Sequence, residues 1–302
     1  MITAPERLIF TALGAVSIVF HIGLIFSGLV PNLVARPLHL MLALPWIFLF
    51  RVGSRSTLLS GAILCVAGEL ACLYVVLNEV QLSDQYGSLE GNGQLLLAIT
   101  LLAVVLEMAR RAIGWPLPMV ALVAIVYGLF GQYLPGEFGY PGMPIESFLG
   151  TLTIAEGGIW GSLTGISVNV VAVFVIMGAV LNAGEAGQGF MNLASAAAGH
   201  LRGGAAKVSV LSSAFFGSIS GSASANVAST GAITLPAMRR LGYPPALAGA
   251  VEAVASSGGQ ILPPLMGAGA FVMVELTGIP YTEIILAALF PAILYFVAVW
   301  IG

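Results

Sequence analysis

Ser218-Ile219-Ser220-Gly221-Ser222-Ala223-Ser224-Ala225-Asn226 is a run of small polar residues in the middle of an apolar segment, 208–238. Basic residues stand at both ends of that segment: Arg202 and Lys207 before it, Arg239 and Arg240 after it. Lys and Arg are retained on the cytoplasmic side of a membrane. A segment apolar enough to enter, with both ends held on one side, must go in and come back. The small polar run makes a poor helix and a good tight turn. The pattern predicts a re-entrant helical hairpin with its polar tip near mid-membrane, where irregular backbone survives only against protein or water.

The composition agrees with a lipid environment. The chain of 302 residues is 59% hydrophobic and only 8% charged, with a mean hydropathy of +1.03. A soluble domain carries about 25% charged residues. So few charges cannot cover a water-facing surface, which excludes a soluble enzyme and a disordered chain. A net charge of -3 leaves no basic footprint for nucleic acid. Long Leu/Ala/Val-rich runs, without the alternation of a membrane barrel, predict an all-α polytopic membrane protein.

Outward from the hairpin, spans are expected at 8–30, 37–50, 57–77, 94–108, 116–134 and 164–182, and a last one starts at 284. With the N-terminus inside, nine of the ten basic residues fall on the cytoplasmic side and only Arg36 falls outside. The loops 78–93 and 135–160 hold no Lys or Arg and are expected outside. No cleavable signal peptide is expected, because the first span is too long and no small-residue cleavage site follows it. Cys65 and Cys72, seven apart on one helix, are expected as small buried hydrophobes rather than a disulfide.

After the hairpin comes a second interruption. The helix-like stretch 246–257 runs into Gly258-Gly259-Gln260-Ile261-Leu262-Pro263-Pro264, and helix resumes over 265–276. Two glycines and two prolines predict a broken helix. A hairpin tip beside a broken helix is the sequence pointer to the binding site of a secondary transporter. Carbonyls at a half-helix C-terminus suit Na⁺, and N–H groups at a half-helix N-terminus suit a carboxylate. The candidate substrate- and ion-contacting residues are Ser218, Ser220, Gly221, Ser222, Ser224, Asn226, Ser229 and Thr230, with Ser256, Ser257, Gly258, Gly259 and Gln260 opposite. Glu252 is the candidate for sensing a proton or cation; the alternative is an ion pair with Arg239 or Arg240. Glu69 lies within the span 57–77 and Glu107 near the cytoplasmic end of the span 94–108, while Glu156 and Glu275 are expected toward the outside in structural or partner-facing roles. His21 is expected to be packed, and His39 and His200 to lie near interfaces. No G-x-x-x-x-G-K-[ST] motif occurs and Asp84 is the one aspartate, so neither nucleotide hydrolysis nor an intramembrane aspartate pair is expected, and no enzyme activity or cofactor is expected beyond the coupling ion.

Five stretches carry a family resemblance: Ile113-Gly114-Trp115-Pro116-Leu117-Pro118; Arg202-Gly203-Gly204-Ala205-Ala206-Lys207; Ser220-Gly221-Ser222-Ala223-Ser224-Ala225-Asn226-Val227; Ala250-Val251-Glu252-Ala253-Val254-Ala255-Ser256; and Gly258 to Pro264 as quoted above. In these the chain resembles the membrane component of tripartite ATP-independent periplasmic (TRAP) transporters, most closely the fused type in which a four-helix small subunit precedes a twelve-segment large subunit. The resemblance covers about residues 113–302; the first part matches mainly in having four spans. It implies a small-subunit-like scaffold over 1–111. It also implies the first half of a large permease over 112–302, with a hairpin at about 205–238 and a broken helix at about 246–277. It implies a Na⁺-coupled, receptor-dependent importer of carboxylates in a bacterial or archaeal inner membrane, working by an elevator movement and served by a TAXI-type periplasmic receptor. Pro263 and Pro264 join the site through it, and Na⁺ is expected near Ser220, Gly221, Ser222 and Gly258. The family's large subunit has two inverted repeats, and one is found here, so a second repeat is expected from a longer chain or a partner chain. The rival expectations are a receptor-independent ion–solute symporter of the elevator type and a non-transporting membrane scaffold.

Overall fold

The computed structural model describes residues 4–28 and 30–302, with the side chains at positions 4, 5, 182, 268 and 275 outside the description. Glu275 therefore lies outside the described side chains. Among the described residues every regular element is a helix. Five helices among the described residues are long and apolar enough to cross a membrane: Glu6–Ser27, Arg55–Leu77, Pro116–Tyr133, Ser162–Leu181 and Tyr281–Ile301. Asn32–Phe48 is a shorter apolar helix. The chain is an all-α polytopic membrane protein. It divides into two compact units, Met1–Asn169 and Val170–Gly302. That division concerns compactness and does not address the 111/112 boundary expected from the family pattern.

The first unit contains α1 (Ala4–Ser27), α2 (Asn32–Phe48), α3 (Arg55–Leu77), α4 (Glu79–Asp84), α5 (Gly91–Ile113), α6 (Pro116–Phe130), α7 (Ile145–Thr153) and α8 (Ser162–Ile166). Start and stop signals are local. Ser54 caps α3 by accepting from the Thr57 N–H at 3.2 Å. Gly114, at φ +85°, lets the chain leave α5, and Pro116 opens α6 where its missing N–H costs nothing. The core lies between α2, α3 and α5: Leu44 and Phe48, Cys72 and Val75, and Ala98, Leu101 and Val104 are all buried. Gly68 permits this approach, since a Cβ there would sit 2.8 Å from a Leu44 methyl and 3.0 Å from a Val104 methyl. Both cysteines are free and buried, as their spacing suggested.

Several polar side chains in this unit are paired. Glu107 takes Arg110 at 2.6 Å and Arg111 at 2.8 Å. Glu156 accepts from Asn32 Nδ2 at 2.7 Å. Trp160 is fully buried and donates its indole N–H to the Thr153 carbonyl at 2.7 Å. His21 is packed, and His39 stands against it, with His21 Nε2 2.8 Å from His39 Nδ1, and His39 Nε2 3.2 Å from Ser167 Oγ.

The second unit contains α9 (Ala172–Ala183), α10 (Ala186–Ala198), α11 (Gly204–Ser220), α12 (Ala223–Arg240), α13 (Pro245–Gly258), α14 (Ala268–Thr277) and α15 (Tyr281–Ile301). A short π-helical turn, Ser167–Val171, precedes α9. The helices α11 and α12 form a hairpin that turns at Gly221 and Ser222. The helix α13 packs against both arms, and α15 packs against α13. Gly259 to Gly267 interrupts the helical path between α13 and α14.

Candidate functional site

The site is built from three helix faces. The helix α11 buries Ser209, Ser213, Phe216 and Gly217, α12 buries Asn226, Thr230, Thr234 and Met238, and α13 buries Glu252, Ala255 and Ser256. The spacings of three and four residues put each set on one side of its helix. Small side chains let the helices close together. At the closest point a Cβ on Gly217 would meet the Gly259 Cα at 2.4 Å, and a Cβ on Gly231 would meet the Glu252 Cγ at 3.2 Å.

The polar groups on these faces form one network around Glu252, which is 1% exposed. Its Oε2 accepts from Ser209 Oγ at 2.7 Å and from Thr234 Oγ1. Its Oε1 accepts from Thr230 Oγ1 at 2.5 Å and from Ser256 Oγ at 3.4 Å. Ser213 Oγ lies 3.2 Å from Thr230 Oγ1 and 3.4 Å from Ser256 Oγ. Asn226 Nδ2 donates to the Ser213 carbonyl at 2.8 Å and reaches the Ser256 carbonyl at 3.5 Å. Glu252 makes no ion pair among the described residues, and Arg239 and Arg240 lie exposed at the end of α12. The alternative of an ion pair is thereby corrected: burying the carboxyl between helices takes it away from a helix end that faces outward.

The hairpin tip and the helix break are joined through backbone. Gly221 ends α11 at φ +59°, a conformation that suits glycine, and a Cβ there would meet the Met266 carbonyl oxygen at 2.0 Å. The Leu265 N–H donates to the Ser218 carbonyl at 3.1 Å, and the Gly267 N–H donates to the Gln260 carbonyl at 2.7 Å. Met266 is buried at φ +49°, an uncommon state for a side chain other than Asn, Asp or Gly. Pro263–Pro264 is a cis bond, and the Tyr281 hydroxyl donates to the Pro264 carbonyl.

The candidate residues therefore separate by role. Asn226, Thr230 and Ser256 enter the buried network. Ser222 is the N-cap of α12, accepting from the Ala225 N–H at 3.3 Å. Ser218 turns its hydroxyl to the Phe215 carbonyl at 2.8 Å. Ser220 and Ser229 line a cavity of about 190 Å³ together with Gly178 and Phe216. Ser224, Ser257 and Gln260 are exposed, and Ser257 bonds back to the Ala253 carbonyl. Gly259 lies against Gly217 under the Asn226 amide, whereas Gly258 faces the Tyr295 and Phe296 rings of α15. Sequence reasoning missed Ser209, Ser213 and Thr234. The signal was present in the steps of four, Asn226–Thr230–Thr234 and Ser209–Ser213, which put these polar groups on one face of each helix.

A helical hairpin bonded to a helix break inside an apolar bundle defines the class: an all-α polytopic membrane protein with interrupted helices. Residues 100–301 match the family described as tripartite ATP-independent periplasmic transporter, DctM component, and the chain belongs to it. It is 30% identical to the uncharacterized protein y4mL of Sinorhizobium fredii over 63% of this chain and 40% of that one. It is 36% identical to the C4-dicarboxylate TRAP transporter large permease protein DctM of Pseudomonas aeruginosa over 30% of this chain and 21% of that one. It is 33% identical to the isethionate TRAP transporter permease protein DctMQ of Oleidesulfovibrio alaskensis over 43% of this chain and 24% of that one. The chain thus spans well under half the length of these relatives. No solved structure matches.

Proposed function

We propose that this chain supplies one half of the translocation site in the permease of an ATP-independent importer of organic acids. The observation that carries the reading is the bonded contact between the hairpin tip and the helix break, Leu265 N–H to Ser218 carbonyl with Gly221 pressed on Met266. In this reading the two ends of the break, the C-terminal end of α13 and the N-terminal end of α14, serve a cation and a carboxylate respectively, as half-helix ends suit those charges. The relatives' names support an anionic or polar organic substrate. In this reading Na⁺ binds near Ser220, Gly221, Ser222 and Gly258, a TAXI-type periplasmic receptor delivers the solute, and the unit moves as an elevator. The region 1–111 serves as a small-subunit-like scaffold and 112–302 as permease. The membrane is the inner membrane, with the N-terminus inside.

The test is uptake of labelled C4-dicarboxylate and isethionate by membranes from cells that express the protein at its native length together with its receptor. The expected result is Na⁺-dependent uptake that is lost in Asn226→Leu. Uptake that needs no receptor would favour the receptor-independent symporter. No uptake, with ligand binding unchanged by Asn226→Leu, would favour the scaffold.

A further inference from the structure

Glu252 has no place in the transport reading above, yet among the described residues its carboxyl is the most deeply buried ionisable group of the second unit. Among those residues no basic group faces it from any helix packed against it. Lys207 of α11 stands over the Trp300 ring at 5.2 Å, Arg239 and Arg240 of α12 are exposed, and the Tyr295 hydroxyl of α15 donates a hydrogen bond to the Val254 carbonyl at 2.7 Å. A carboxylate inside a membrane bundle with no positive partner is strongly disfavoured unless it gains a cation or a proton. The hydroxyls of Ser209 and Thr230 reach its oxygens at 2.7 and 2.5 Å, and that of Thr234 reaches them as well, which are hydrogen-bond contacts.

The cage fits both the acid and its anion without moving a heavy atom. A hydroxyl has one proton to give. Thr230 Oγ1 lies 2.9 Å from the Asn226 carbonyl as well as 2.5 Å from Glu252 Oε1. Thr234 Oγ1 lies 3.0 Å from the Thr230 carbonyl as well as against Glu252 Oε2. When the carboxyl is ionised, both threonines turn their protons onto it. When it is protonated, one threonine turns back to the carbonyl one helical turn before it and accepts the acid proton. One threonine hydroxyl rotation, together with loss of the acid proton, converts one arrangement into the other.

We propose that Glu252 is a proton-exchanging site of the permease unit: the acid O–H bond breaks, the electron pair stays on the carboxylate, and the proton leaves to water that enters when α11, α12 and α13 loosen. The proton is then a coupling ion held apart from the hairpin tip. The exchange stands on the cage itself; only its use in transport rests on the function proposed above.

The experiment is infrared spectroscopy of the purified full chain in lipid, across a pH series, with wild type, Glu252→Gln and Glu69→Gln. The expected result is a carboxylic-acid carbonyl band that shifts in D₂O, disappears in alkaline buffer, is absent from Glu252→Gln and persists in Glu69→Gln. Thr234→Val should move its frequency, because one hydrogen bond to the acid is lost. A spectrum with no Glu252-dependent acid band at any pH overturns the proposal, as does a band that persists at every pH at which the chain stays folded. A band indifferent to pH but removed by Na⁺ also overturns it, and makes the cage a cation site. In the native-length permease, uptake driven by a pH gradient should fall at least tenfold in Glu252→Gln while solute exchange continues. Absence of all transport beside an intact Glu252 band would sink the transport reading and leave the proton site standing.

Discussion

Replacing Gly217 by alanine should destabilise the second unit, although the same change favours helices in general. A Cβ at this position would lie 2.4 Å from the Gly259 Cα and 3.0 Å from the Asn226 amide nitrogen. Carbon atoms prefer about 3.5–4.0 Å, so roughly 1 Å must be found. The nearest atom is backbone, which cannot swing aside as a side-chain end can. Overpacking of this kind costs about 1–3 kcal/mol. Alanine returns about 1 kcal/mol of helix propensity over glycine. With backbone against backbone the cost belongs at the upper end, and the net loss is about 2 kcal/mol. Gly249 supplies the control: it is helical, exposed and has nothing within 4 Å of a built Cβ. Gly249→Ala should gain about 0.5–1 kcal/mol, so the two variants should differ by about 3 kcal/mol. The assay is reversible SDS unfolding of the purified chain in mixed micelles, followed by tryptophan fluorescence. Gly217→Ala at or above wild-type stability would refute the backbone contact between α11 and the break.

Three further outcomes follow from particular contacts. Thr234→Val keeps the shape but removes a donor from the buried Glu252 carboxyl, and the same unfolding assay should show a loss of about 1–3 kcal/mol. Ser222→Ala should cost about 0.5–2 kcal/mol through loss of the α12 cap, whereas Ser222→Gly should cost only a few tenths; equal losses would mean that the cap contributes nothing. Tyr86→Cys, at an exposed position beside α4, should react with a membrane-impermeant maleimide from outside intact cells, while a cysteine at exposed Arg239 should react only after the membrane is opened. The reverse pattern would invert the proposed orientation.

Much of the fold was already legible in residue order. Unbroken apolar runs specify membrane helices, because in lipid each backbone polar group must be satisfied within its own segment. The glycine and proline punctuation at Gly221 and at Gly258 to Pro264 marked the two interruptions, since those residues act on the backbone locally and need no distant partner. Ser222 was legible as a tip residue for the same reason. The span expected at 94–108 lies within α5, Gly91–Ile113, whose last turns carry Glu107 bonded to both Arg110 and Arg111. One alternative left open at short range, an ion pair of Glu252 with Arg239 or Arg240, did not form: the buried carboxyl found hydroxyls instead.

What residue order determined, then, is the part governed by local chemistry: helices, breaks, caps and membership of the family. Tertiary structure alone decided which polar residues meet. Ser209, Thr230 and Glu252 lie 43 and 22 residues apart in the chain, as counted from Glu252, and only the packing of α11, α12 and α13 makes them one cage. Each polar side chain looks ordinary on its own helix. The free energy of a buried carboxyl depends on every group around it at once, and that set exists only after the helices have closed.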